Sequence, residues 1–136
     1  MKLKKYCFAF NSYYQALEIL KICKEIKIKP ILFIKYQLIN GLGIDWIEGL
    51  KDQLYKEFNT KDFYICVDVK ANYGLFIALV EKKIDYIKVE ADKKMLRKLN
   101  QIAKINKVLI NQNFSVVDLS NLKLQKTISK KIYNKL

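Results

Sequence analysis

The chain has 136 residues, a formal net charge of +13 and no histidine. Its length predicts one domain with its own hydrophobic core. The missing histidine excludes Ser-His-Asp and Cys-His catalysis within the chain, and three widely spaced cysteines without a C-x-x-C pair support neither a disulfide framework nor a zinc site. We therefore expect no metal centre.

The apolar segments predict neither a membrane span nor a secretion signal. No apolar run approaches the roughly 20 residues that cross a bilayer. The start, MKLKKYCFAF, places apolar residues after basic ones, but polar Asn11 and Ser12 follow and no small-residue cleavage site does. We expect a cytoplasmic protein.

Apolar runs and helical stripes alternate along residues 1–111. The pattern predicts strands at 5–10, 30–38, 63–69, 84–90 and 107–111, and helices at 12–28, 45–58, 72–83 and 92–106. Ser12 and Asp92 stand where helix N-caps are expected. The G-L-G at 41–43 lacks the third glycine of a dinucleotide loop, so it predicts a turn into the next helix.

Four strand–helix units and a fifth strand predict an α/β domain over residues 1–120. Its sheet is expected to be mostly parallel and five-stranded, with flanking helices. Two variants fit: an open doubly wound sheet of flavodoxin-like type, which we favour, and a half (βα)8-barrel-like sheet. The second leaves a sheet edge for another copy to cover, which favours a homo-oligomer.

The last residues predict a basic amphipathic helix that belongs to the same domain. Residues 112–121 connect to it, and their segment FSVVDL is compatible with one more short strand. Within 121–136, four apolar residues recur every fourth position: Leu124, Ile128, Ile132 and Leu136. The lysines around that stripe are Lys123, Lys126, Lys130, Lys131 and Lys135.

Positive charge is concentrated at the C-terminal end. Residues 93–136 carry 11 cations and a single anion, Asp118, which points to an acidic partner. Arg97 is the only arginine, and its isolation argues against sequence-specific reading of nucleic acid. Three interpretations of the basic helix stay open: packing on the sheet, lying on an anionic membrane surface, or docking on RNA or an acidic protein.

Polar residues follow the predicted strands at the edge where parallel α/β sheets bind ligands. Helix N-termini at the same edge suit phosphate or carboxylate groups. The candidate residues for a polar or anionic small molecule are Ser12, Gln37, Asp68, Lys70, Asn72, Glu90 and Asp92.

Catalysis has a weaker basis in the sequence. Asp68 with Lys70 or Glu90 is the combination suited to acid-base chemistry, yet a solvated loop lysine is the commoner case. No cofactor motif accompanies them. We lean towards a protein that is not an enzyme and assign no catalytic residue.

Several segments together resemble a family of small uncharacterised α/β proteins of alphaproteobacteria. They are AFNSYYQALEIL, GLGIDWIEGL, DVKANYGLFIALVEKKID and RKLNQIAKINKVL followed by VVDLSNLK. In that family the third strand ends in a pattern like D-x-G-D-x-P-G. Asp68 and Gly74 match it, whereas Lys70, Ala71 and Tyr73 replace its glycine, second aspartate and proline. The resemblance implies an α/β fold and carries no established activity.

Two functions follow as hypotheses. The first is binding of a polar or anionic small ligand at the C-terminal ends of the strands. The second is a non-enzymatic interaction protein that uses its basic C-terminal third to bind RNA, an acidic protein or an anionic membrane surface.

Overall fold

The computed structural model describes residues 5–122 and 125–135, with the side chains of the second range described from Ile128 onward. Six strands and six helices are described within these ranges. In chain order they are β1 (Cys7–Ala9), α1 (Tyr13–Glu25), β2 (Ile31–Ile34), α2 (Tyr36–Leu42), α3 (Ile44–Leu54), β3 (Tyr64–Lys70), α4 (Tyr73–Glu81), β4 (Tyr86–Val89), α5 (Lys93–Ile105), β5 (Leu109–Ile110), β6 (Val116–Asp118) and α6 (Gln125–Tyr133).

The strands form one parallel sheet in the order β5-β4-β3-β2-β1-β6. The prediction of an α/β fold with a parallel sheet and flanking helices is confirmed. The predicted number of five strands is wrong, because the segment FSVVDL supplies β6. Its Val116–Asp118 pair in register with Cys7–Ala9 of β1.

The helices pack on one face of the sheet. Alternate strand residues such as Phe8, Leu32 and Val67 join the buried side chains of the helices in the main core. The residues between them, such as Cys7, Phe33 and Cys66, form a second core to which no helix contributes a residue among those described. The period-two alternation of the strands therefore separates a helix-covered face from a face without helices.

The connection from β5 to β6 forces the sheet to curl. These strands lie at opposite edges of the sheet, about 24 Å apart if six strands were laid flat. The chain from Ile110 to Val116 spans at most about 21 Å when fully extended. Because both strands run in the same direction, the connection must also lead from the C-terminal end of β5 back to the N-terminal end of β6. This uses part of its length. The helix-free face is thus concave, and residues 111–115 cross it.

Residues 36–42 differ from the prediction, which assigned them to the end of a strand and a loop. They form α2, a two-turn helix that buries Ile39 in the main core. The apolar run from Ile31 to Leu38 looks like one long strand, but pairing with β3 ends at Ile34, opposite Val67. Gly43 then separates α2 from α3 with a φ of +84°, a conformation that favours glycine.

Helices α1, α4 and α5 end in the same way, with a lysine in the left-handed conformation. In each, the N–H of the following apolar residue bonds to the carbonyl five positions back, as in a Schellman motif. The lysines are Lys27, Lys83 and Lys107, and the bonds are Ile28 to Cys23 (2.8 Å), Ile84 to Leu79 (3.3 Å) and Val108 to Ala103 (2.9 Å). The shared ending directs each chain segment back towards the next strand.

The C-terminal helix α6 packs against α1. Its Ile128 and Ile132 are 2% and 0% exposed and belong to the main core. Leu124 and Leu136, the other members of the predicted apolar stripe, lie outside the described residues. Packing on the body of the domain is therefore the arrangement that the described part of the stripe adopts.

No helix within the described ranges is long and apolar enough to cross a bilayer.

Replacing Ile132 with alanine tests whether α6 belongs to the same folding unit. We expect Ile132→Ala to lower the free energy of unfolding by about 2–4 kcal/mol, because it leaves a cavity in a closed core. Urea unfolding should show one transition at a lower midpoint. The control is Tyr133→Ala, because Tyr133 is a half-exposed neighbour on the same helix. An Ile132→Ala midpoint equal to that of the control would contradict the shared core.

Candidate functional site

The concave face holds a cavity of about 430 Å³. Its walls come from β2, β3, β4, the connection 111–115 and the first residue of β6. Aromatic rings supply much of the lining, with one lysine and three amide side chains around them. These lining residues are Phe33, Tyr86, Phe114, Lys88, Asn111, Gln112 and Asn113.

The connection 111–115 is fixed to the sheet at both its ends. The Asn111 side chain accepts a hydrogen bond from the Val89 N–H (2.8 Å) and donates one to the Val89 carbonyl (3.0 Å). The Phe114 ring meets the Tyr86 ring edge to face, with 4.9 Å between centroids. The cavity therefore has a wall held by both polar and aromatic contacts.

Two residues at the N-terminal ends of the strands hold Tyr86 in place. Lys5 Nζ donates a hydrogen bond of 2.8 Å to its hydroxyl, and the Tyr64 ring packs edge to face against it. The hydrogen bond to Tyr86 is the largest cause of a raised pKa at Lys5, so the ammonium stays charged. These contacts fix the aromatic side of the cavity.

Lys88 is the charged side chain of the cavity lining. It is the register partner of Asp68 on β3, and both lie on the concave face, two residues beyond Tyr86 and Cys66. Lys88 is exposed, and no carboxylate of the described residues lies within ion-pair distance of it. Its ammonium is thus available to a ligand.

The structure brings three of the predicted site residues together: Asp68, Lys70 and Glu90. Lys70 Nζ lies 3.6 Å from Asp68 Oδ2 and 3.9 Å from Glu90 Oε1. Asp68 is only 7% exposed, and its Oδ1 accepts a hydrogen bond from the Lys70 N–H (3.0 Å). The group sits at the C-terminal ends of β3 and β4, as predicted.

An irregularity in β3 shapes this group. The register against β4 shifts between Asp68 and Lys70, as in a β-bulge, and Lys70 has a φ of +52°. A lysine in this conformation costs roughly 1–2 kcal/mol. The bulge turns the Lys70 side chain back towards both carboxylates.

Three other predicted site residues serve as helix N-caps. Each side-chain oxygen accepts a hydrogen bond from the N–H three residues later. Ser12 caps α1 (3.3 Å to Gln15 N), Asn72 caps α4 (3.0 Å to Leu75 N) and Asp92 caps α5 (2.8 Å to Met95 N). Ser12 and Asp92 were also predicted as caps, and that prediction is confirmed.

None of the predicted ligand-binding residues lines the cavity. Gln37 is exposed in the first turn of α2, whereas the prediction placed it in a strand. Lys130, Lys131 and Lys135 are exposed on or just after α6. Lys123 and the side chain of Lys126 lie outside the described residues.

The sequence analysis missed a second polar group at the same edge of the sheet. Lys35 Nζ bonds to Asp118 Oδ2 (2.5 Å) and to Ser120 Oγ (2.9 Å), and Ser120 Oγ donates to Asp118 Oδ1 (2.6 Å). The group joins the end of β2 to the end of β6, with β1 between them. Its sequence signal was Asp118 itself, the lone anion among the C-terminal cations.

The hydrogen bonds around Asp118 keep its carboxylate ionised. Burial alone would raise the pKa of Asp118, but hydrogen bonds from Lys35 and Ser120 outweigh it and lower the pKa to about 2. The lysine and the aspartate satisfy each other, so this group stabilises the position of β6.

The cysteines are buried free thiols. Burial raises the pKa of Cys7 and Cys23 to about 12 and raises that of Cys66 further. They therefore act as small apolar side chains, and Cys66 lines the cavity in this form. Within the described residues, no three histidine, cysteine or acidic side chains come together as metal ligands.

The chain matches none of the protein-family models, and no curated protein is significantly similar to it.

Removing the Asp118 charge should change how stability depends on pH. Because the folded-state pKa is about 2 and the usual value is 3.8, the carboxylate contributes stability above about pH 4 and loses it as the pH falls towards 2. We expect Asp118→Asn to unfold at lower urea than the parent protein at neutral pH, with the difference narrowing between pH 4 and 2. Asp52→Asn, at an exposed position on α3, is the control. A difference that does not vary with pH would contradict this role.

Proposed function

We propose that the protein binds a small anionic molecule with an apolar body in the concave cavity. The observation that carries the proposal is the ammonium of Lys88, which has no carboxylate partner among the described residues and stands beside aromatic walls in a space of about 430 Å³. Ligand sites are mostly apolar clefts with a few placed polar groups, and this cavity has that composition. The lining includes Val89 and Asn111 at the C-terminal ends of β4 and β5, where parallel sheets usually bind ligands, and extends from there to Tyr86 and Val116, the first residues of β4 and β6.

Charge distribution favours an anionic ligand. Two other lysines at the ends of the strands are already engaged, Lys35 by Asp118 and Lys70 by Asp68 and Glu90. Lys88 has no such partner among the described residues, so a carboxylate or phosphate on the ligand would satisfy it. The amides of Gln112 and Asn113 offer neutral hydrogen bonds beside it.

Binding, rather than catalysis, is the activity that we propose. Asp68 is the nearest candidate base, but both of its oxygens face Lys70: Oδ1 accepts the Lys70 N–H and Oδ2 lies 3.6 Å from the ammonium. Asp68 also does not line the cavity in which we place the ligand. Its contribution is to position the end of β3 beside Lys88.

We propose the half (βα)8-barrel-like variant as the form of this fold. The one-sided helices and the curled sheet support the half (βα)8-barrel-like variant, in which the concave face is the barrel interior. We place the protein in the cytoplasm. Self-association through the open sheet edges and kinship with the alphaproteobacterial family stay predictions.

The decisive test uses inorganic phosphate and benzoate as probes. We expect benzoate to bind more tightly, because its ring fits the aromatic walls, and Lys88→Met to weaken it about tenfold, the worth of one charge-assisted hydrogen bond. Isothermal titration measures both. Lys104→Met, exposed on α5 away from the cavity, should bind as the parent does.

Native mass spectrometry of freshly purified protein complements this titration. A small molecule that is retained by the parent and lost in Lys88→Met supports the proposal and identifies the ligand. A bare chain together with no measurable binding of either probe contradicts it.

A second candidate function rests on α6. Because Ile128 and Ile132 are buried, the exposed part of this helix presents Lys130 and Lys131, with Lys135 after it. Among the described side chains of this helix, the two isoleucines face the core and not the surface, so RNA or an acidic protein suits the exposed lysines better than a membrane does. The lysines predicted for it also include Lys123 and Lys126.

Reversing two charges on α6 tests this candidate. We expect the double variant Lys130→Glu/Lys131→Glu to lower affinity for a labelled oligouridine RNA at least tenfold at low salt, and to reduce the salt dependence of binding. The matched control is Lys82→Glu/Lys83→Glu, another adjacent exposed pair. Equal losses in both double variants would mean that binding follows net charge and not this helix.

A further inference from the structure

On the helix-covered face of the sheet, no helix follows β5. Each of β1, β2, β3, β4 and β6 is followed by a helix, whereas five residues without a helix join β5 to β6. Beside β5 lies an open groove of about 490 Å³, between α5 and the end of the strand. The groove is separate from the proposed ligand cavity and shares with it only the wall at Asn111 and Gln112.

The groove combines an apolar floor with a cationic rim. Leu96 and Ile110 supply the floor, and Lys93 and Arg97 stand one helical turn apart on α5, at positions i and i+4. Two large apolar residues of α5 and β5 outside the groove lining are also exposed, Leu109 at 50% and Ile105 at 82%. Exposed apolar side chains beside a partly open strand edge are typical of interaction surfaces.

All the charged side chains of α5 are positive. The helix carries Lys93, Lys94, Arg97, Lys98 and Lys104 and no acidic residue. Within the described residues, no carboxylate lies within ion-pair distance of these cations. Arg97 is the only arginine of the chain, and its planar guanidinium binds carboxylates in a bidentate manner.

We propose that this groove docks an acidic amphipathic helix of another protein, in the place where a helix after β5 would lie. Leucine-like side chains of the partner would cover Leu96 and Ile110, and its carboxylates would pair with Lys93 and Arg97. The proposal does not depend on the ligand cavity.

Among its described helices, a second copy of this chain does not offer such a helix. The helix with the most acidic residues is α3, with Asp45, Glu48 and Asp52, but its Ile47 and Leu50 are buried in its own core. Two copies would also bring together surfaces of a chain whose net charge is +13. Charge complementarity therefore favours an acidic partner of different sequence.

The test uses a labelled peptide of about 18 residues, with leucine at helical spacing on one face and glutamate elsewhere. A peptide of the same composition in scrambled order, without an apolar face, is the comparison. Fluorescence anisotropy should show tighter binding of the amphipathic peptide. Arg97→Glu should weaken this binding at least tenfold and Leu96→Ala severalfold.

Lys98→Glu is the matched control, because Lys98 is exposed on the same helix but does not line the groove. It should change the affinity less than about threefold, the effect of net charge alone. The proposal is overturned if the scrambled peptide binds as tightly, if Arg97→Glu and Lys98→Glu have equal effects, or if oligouridine RNA displaces the peptide from the groove. Circular dichroism confirms that each variant is folded.

Discussion

The short connection between β5 and β6 is the constraint on which the rest of the structure depends. Five residues join two parallel strands at opposite edges of a six-stranded sheet, so the sheet has to curl. Curling makes one face concave and encloses the cavity beneath residues 111–115. The same connection contains no helix, which leaves the outer groove beside α5 open. The short connection without a helix thus produces both candidate binding surfaces. One is the cavity on the concave face, for a small molecule, and the other is the groove beside α5, for a partner helix.

Electrostatic pairing determines which cations of this lysine-rich chain are available. At the C-terminal edge of the sheet, Lys35 and Lys70 already face carboxylates, so their role is to hold strand ends in place. Lys88 and Arg97 lack such partners within the described residues, and each stands beside apolar side chains in a concavity. The combination of an unpaired charge with apolar walls distinguishes them from the many lysines that are simply solvated.

The local sequence pattern was sufficient to predict much of the fold. The features that it did not predict depend on pairing between strands that are distant in sequence. The apolar run at 63–69 and the caps Ser12 and Asp92 gave β3 and two helix starts, since these depend on neighbours in sequence. The group of Asp68, Lys70 and Glu90 was predictable because adjacent strands end together, but it does not line the cavity, whose Lys88 was not predicted. Lys35 and Asp118 were not, because their contact requires β6 to return to the edge beside β1. Residues 36–42 were assigned wrongly, since an apolar run does not show where its pairing partner stops.

The side-chain amide of Asn111 holds one wall of the cavity in place. Its side chain imitates a strand residue, because it accepts from the N–H and donates to the carbonyl of Val89. Asparagine is among the thermally labile residues, and hydrolysis of its amide yields a carboxylate. That carboxylate would keep the acceptor but lose the donor, and it would face the Val89 carbonyl oxygen. Deamidation of Asn111 would therefore weaken the contact that holds the wall shared by the cavity and the groove. Both binding surfaces would then be altered by the same reaction.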